Sequence, residues 1–135
     1  MDVMGISHPI PTEYATRIYY ENKNVYIGKR YLHKVSKGDK FIIYESRGAK
    51  AYTGWADIKF IGKMKPKDII RKYKEGMMIT KEELKEYSKG ISTMVVIEFE
   101  NFEKFKKNVT PKRFVTVAGK YIYNEEFECI KQNKD

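Results

Sequence analysis

Glu45 closes an apolar run, Phe41 to Tyr44, with Arg47 two residues beyond it and Lys29 and Arg30 upstream. A carboxylate carried on an apolar strand needs a partner, and one that shares a pocket with a lysine can do acid and base work. Glu45 with Lys29 is therefore the candidate catalytic pair, and an ordinary structural ion pair to Lys29 or Arg47 is the alternative. Other reactive groups are sparse. His8 and His33 have no cysteine or second histidine at ligand spacing, and Cys129 is alone, so neither a metal site nor a disulfide is expected. Cys129 is expected to be buried as a small apolar residue. Gly48 and Gly54 lack the spacing of a phosphate-cradling loop, and no cofactor is expected.

The elements that must position these groups centre on Val35 to Ile61. Lys37-Gly38-Asp39 reads as a turn, and Phe41 to Tyr44, apolar on both faces, as a central strand. From Thr53 to Ile61 the pattern alternates, with Gly54, Ala56, Ile58 and Phe60 on one face and Trp55, Asp57 and Lys59 on the other. Trp55 beside the basic loop Ser46-Arg47-Gly48-Ala49-Lys50 is what a pocket for a flat, anionic ligand needs. The alternative is that Trp55 covers a sheet edge or packs beneath a helix.

Charge gives the partner class. The chain has 27 basic and 18 acidic residues, a net charge of +9. Lys23 to Lys67 holds 12 basic residues against Asp39, Glu45 and Asp57, so this segment alone carries the +9. A second cluster, Lys104, Lys106, Lys107, Lys112 and Arg113, lies farther on. With Tyr26, Tyr31, Tyr44, Tyr52 and Trp55 interleaved in the first segment, phosphates can take the charge while bases stack on the rings. A solvated, solubilising face is the alternative.

At 135 residues and 41% hydrophobic content, one domain spanning 1–135 is expected. No signal peptide or membrane span is expected, the longest uncharged apolar run being Ile91 to Ile97, and a single cysteine suits a reducing, cytoplasmic compartment. Pro9 and Pro11 flank an extended start, and Thr12 is the expected cap of a helix bearing Tyr14, Ala15 and Ile18, which Asn22-Lys23-Asn24 breaks. Val25 to Ile27 reads as a strand. Pro66 to Gly76 reads as a helix with Asp68 in its first turn, and Thr80 with Glu83 as a capping box, with Ile79 stapled to Leu84, Tyr87 on the apolar face and Gly90 at the close. Thr93 to Glu100 alternates like a strand with one solvated face. Phe102 and Phe105 are expected to anchor a connection, and Asn124 to cap a last segment carrying Phe127 and Ile130. The class is α+β.

The order of these motifs resembles the PUA-like superfamily, in particular its ASCH and EVE branches. The residues that carry it are Pro11-x-x-Tyr14-Ala15-x-x-Ile18, the lysine turn at Lys23, Tyr26 before Lys29-Arg30, Lys37-Gly38-Asp39, Phe41 to Ser46, and Thr53 to Ile58. The resemblance covers about residues 9 to 62. It implies a small open β-barrel with short peripheral helices and a cleft that binds RNA, a modified base or a nucleotide. Tyr44 and Ser46 would line that cleft, with Tyr14, Tyr26, Lys29 and Arg30 on its other wall. Ile27 stands where many ASCH-type members carry an acidic residue, and the lysine, threonine and glutamate of ASCH-like amidohydrolases find no clear match. The expectation is an RNA- or nucleotide-binding module that uses Tyr14, Tyr26, Lys29, Arg30, Tyr44, Ser46, Arg47, Lys50 and Trp55. An amidohydrolase of modified nucleosides and a protein-interaction adaptor are the alternatives, and oligomeric state stays open.

Overall fold

The computed structural model describes residues 2–135. Its elements are β1 (Val3–Ile10), α1 (Thr12–Glu21), β2 (Val25–Gly28), β3 (Lys40–Glu45), β4 (Ala51–Met64), α2 (Pro66–Tyr73), α3 (Lys81–Tyr87), β5 (Met94–Val109), β6 (Lys120–Tyr123) and α4 (Asn124–Asn133). The strands form one mixed sheet in the order β2-β5-β4-β3-β1-β6, in which β1 and β3 are parallel and the other pairs antiparallel. β2 and β6 are its two edges, so the expected small barrel is not closed. The register of β4 against β5 shifts in three places, and such bulges deepen the twist of a long strand pair without joining its edges.

The central unit forms as its residues dictate. Gly38 takes φ +97, Asp39 Oδ2 accepts the Ser36 N–H at 2.9 Å, and β3 follows, flanked by β1 and β4. β1 was hidden by its proline. The β6 ladder stops at Ser7, so Pro9 lies past the point where an N–H would be needed on that side.

The apolar residues form two clusters. Ile6, Ile10, Phe41, Ile43, Ala56 and Ile58 pack beneath Ala15 and Ile18 of α1, Ile69 and Tyr73 of α2 and Leu84 of α3. Ile42, Tyr44, Tyr52, Trp55, Phe105 and Ile122 pack on the opposite face with Ile130 of α4. This corrects the one-sided strand expected over Thr93 to Glu100: Met94, Val95, Val96 and Ile97 are all buried because both faces there are covered. The strand also runs on through Phe102 and Phe105 instead of turning into a connection.

Helix ends follow local chemistry with two exceptions. At α3 the capping box is complete, Glu83 N–H donating to Thr80 Oγ1 at 3.0 Å and Thr80 N–H to Glu83 Oε1 at 2.7 Å. At α1 the cap position is Pro11, because the Thr12 hydroxyl is taken by Glu45 and by the Arg47 carbonyl. At α4 Asn124 is already helical and Tyr123 holds the cap position without a side-chain bond. Cys129, expected inside, is exposed on α4.

Candidate nucleic-acid interface

Three elements meet over one end of the sheet and leave a groove of about 450 Å³. Pro9 and Pro11 form its corner, Tyr14 of α1 and Tyr87 of α3 are walls, and Tyr26, Ile27, Met78 and Ile79 complete the lining. Glu83 and Glu86 share the α3 wall with Tyr87, as positions three and four apart on a helix must.

The walls are fixed by one cation. Arg17 sits one turn after Tyr14 on α1, its guanidinium 4.9 Å from the Tyr14 ring centre. Its Nη1 donates to Glu83 Oε1 at 2.7 Å and to the Met78 carbonyl at 2.9 Å, tying α1 to both ends of the turn into α3. The hydrogen bond from Arg17, helped by the capping N–H of Thr80, holds the Glu83 carboxyl down at about 2. Tyr14 is pushed up by burial and by the negative charge of Glu83, so its phenol stays protonated.

Tyr26 needs a glycine two residues on. A Cβ at Gly28 would lie 2.5 Å from the Tyr26 hydroxyl oxygen, so any larger residue would displace the ring. Beneath Tyr26 lies His8, stacked at 4.9 Å between ring centres and 1% exposed, with neither ring nitrogen hydrogen-bonded among the described residues. Burial lowers its pKa to about 4, so the ring is neutral at pH 7.

The cationic rim starts where β2 ends. Lys29 Nζ lies 4.3 Å from the centre of the Tyr87 ring, and exposed Arg30 follows it. Gly28 is level with Val95, and Val95 with Lys63, so the loop after β2 and the end of β4 share one rim. Lys63 Nζ there stands 5.6 Å from the Tyr31 ring centre. Among the described residues Lys29, Arg30, Lys34 and Lys63 form no ion pair, so their charge faces solvent.

Of the residues expected at a site, Tyr14 and Tyr26 line this groove and Lys29 and Arg30 border it. Tyr44 and Trp55 do not: they are 3% and 5% exposed in the cluster beneath α4, on the other face of the sheet. Trp55 stacks on Phe127 at 5.4 Å and donates its indole N–H to Glu103 at 3.0 Å. The register shift between Tyr52 and Gly54 brings Tyr52 and Trp55 to one apolar face while Thr53 turns to Tyr19 of α1, and the expected polar face is thereby lost. Ser46, Arg47 and Lys50 lie in the β3–β4 loop, where Ser46 N–H donates to the Ile10 carbonyl; none is a wall of the groove.

Glu45 and Lys29 are not brought together. The Glu45 carboxylate accepts from the Thr12 and Tyr19 hydroxyls, each at 3.0 Å, and forms no ion pair with Lys29 or Arg47. Hydroxyls satisfy it without a cation, which removes the need for the lysine. No cluster of three or more potential metal ligands occurs among the described residues. Sequence reasoning missed Met78, Glu83, Glu86 and Tyr87 as groove residues, and Arg17 as the cation that fixes its walls. Glu83 gave a signal only as part of the capping box, and Tyr87 read as core.

The family described as "Domain of unknown function (DUF365)" matches residues 3–124. An uncharacterised protein of Methanocaldococcus jannaschii is 35% identical over 103 residues, which cover 67% of this chain and 95% of that protein. Among solved structures, the crystal structure of ASCH from Zymomonas mobilis superposes with a TM-score of 0.86 at 14% identity, covering 97% of this chain and 96% of that one. A point variant of the same protein gives a TM-score of 0.85 at 12% identity, covering 96% and 97%. At such identities the likeness is one of fold. No described helix is long and apolar enough to cross a membrane.

Proposed function

The chain belongs to the DUF365 family, and from that membership, its ASCH fold and its groove we propose that it is a single domain that binds RNA or a modified nucleotide between α1, β2 and α3. The observation that carries this reading is the juxtaposition of the Tyr14, Tyr26 and Tyr87 lining with cations that no carboxylate among the described residues neutralises. A base has two flat faces and seeks aromatic walls, whereas its phosphates seek Lys29, Arg30 and Lys63. Glu86 adds an acceptor for an exocyclic amino group, since its exposed pair with Lys89 costs little to open.

Fluorescence anisotropy of a short single-stranded RNA tests it. At low salt the RNA binds at micromolar concentration or below, and affinity falls steeply as salt rises. Tyr87→Ala, at a residue 40% exposed, leaves the circular dichroism spectrum unchanged and weakens binding by about 1 to 3 kcal/mol. Unchanged affinity in that variant would remove the groove from the reading, and no binding at low salt would remove the RNA.

A further inference from the structure

Beyond Phe99 the outer edge of β5 has no neighbouring strand among the described residues. The β2 ladder spans Val95 to Glu98, Phe99 N–H donates to the Asn24 carbonyl at 2.9 Å, and after it comes Lys107 N–H to the Lys134 carbonyl at 2.9 Å. Lys104, Lys106 and Lys107 stand along this stretch, exposed and in no ion pair among the described residues. Glu103, the acid among them, is neutralised by Lys134 at 2.7 Å.

This edge is connected to the groove. Met78 and Ile79 are walls both of the groove and of a second concavity of about 410 Å³ that also holds Lys23, Lys74 and Lys81. Lys23 in turn borders a third concavity of about 690 Å³, which ends at Lys104. Within the third, the Tyr19 and Phe102 rings stack at 5.9 Å and 23°, with Lys104 Nζ 5.2 Å from the Tyr19 ring centre. Three hollows that share walls and end on an aromatic shelf make one trough, in which Lys23, Lys74, Lys81 and Lys104 stand among glutamates of comparable number.

We propose that this trough is the path of a single-stranded RNA whose first base occupies the groove and whose later phosphates reach Lys104, Lys106 and Lys107. The inference rests on the RNA reading of the groove and adds the extent of the site to it. Val95 is level with the rim of the groove, and nine residues separate it from Lys104. At ~3.3 Å per strand residue this is about 30 Å. One stacked strand advances ~3.4 Å per nucleotide, so about nine nucleotides are needed to span it.

The experiment compares a 4-nucleotide with a 12-nucleotide RNA at several salt concentrations, on the native chain and on a Lys104→Ala, Lys106→Ala, Lys107→Ala triple variant. The longer RNA is expected to bind the native chain at least tenfold more tightly and with a steeper salt dependence. The triple variant is expected to lose that gain, its salt exponent falling by about 2, while its affinity for the 4-nucleotide RNA stays within twofold. Equal binding of both lengths by the native chain would overturn the trough and leave the groove standing. Equal weakening of both lengths in the variant would do the same, because it would show only a diffuse field. Self-association of the variant with unchanged RNA binding would reduce these lysines to guards of an open sheet edge. Failure of both RNAs at low salt would overturn the reading of the groove itself.

Discussion

His8 stacks beneath Tyr26 with its two ring nitrogens unsatisfied, a burden that proteins rarely keep in a core. Its folded pKa of about 4 lies below the 6.5 of the unfolded chain. Between these values the unfolded state binds the additional proton, so the stability that neutral His8 allows is complete above pH 6.5 and is lost as pH falls toward 4. The loss should reach about 3 kcal/mol. Glu83 begins to contribute only below its unfolded value of 4.5, which leaves pH 6.5 to 4.5 as the window for His8. Urea unfolding at pH 7 and pH 5 should therefore show a decline that His8→Leu abolishes; an equal decline in both proteins would assign the proton elsewhere. Trp55 belongs to the same scale. It is wedged between Phe105 and Phe127, so Trp55→Ala should cost about 3 to 5 kcal/mol and lower the unfolding midpoint. A loss of RNA affinity at full stability would contradict its place in the core.

Helix α3 has only seven residues, too few to persist on propensity alone, yet it carries one wall of the groove. Its start is held by the reciprocal Thr80–Glu83 bonds, by Arg17 and by Ile79 and Leu84, which are buried in one cluster. Thr80→Ala removes the cap acceptor and should destabilise the protein by about 1 kcal/mol. Because Glu83 and Tyr87 ride on the same helix, amide exchange in 81–87 should rise more than in β3. Uniform change across the chain would mean that α3 opens only with the whole fold. The strands work differently. β3 is held by β1 and β4 and lies between two apolar clusters, so its register needs no turn beyond Gly38-Asp39 to define it.

For the whole molecule, an open sheet covered on both faces leaves the proposed RNA contacts to the rims, where loops and strand ends carry charge that no ion pair takes up among the described residues. Lys29 and Arg30 sit on such a rim, exposed and in no ion pair among the described residues, Lys29 lying over the face of the Tyr87 ring. Lys29→Ala and Arg30→Ala should each leave stability within about 0.5 kcal/mol and lower the salt exponent of single-stranded RNA binding by about 0.7. A titration of anisotropy against salt measures it. An unchanged exponent in either variant would take that side chain off the phosphate path.

The sequence by itself determined what depends on neighbours along the chain. The Gly38-Asp39 turn, the Pro66 start of α2, the capping box of α3 and the apolar run of β3 are local arrangements of backbone and side chain, and each was readable. So were the basic excess and the order of motifs from Pro11 to Ile58 that resembles ASCH domains. Tertiary structure decided which faces meet. One register shift in β4 put Tyr52 and Trp55 on one face, α4 covered that face, which alternation alone left open, and so buried Trp55, and two hydroxyls satisfied Glu45 without its expected lysine. Tyr87 reached the groove because Arg17 ties α3 to α1 across 66 positions of sequence to Glu83. A contact of that span leaves no periodic trace in the chain, since its partners share neither a strand nor a helical face.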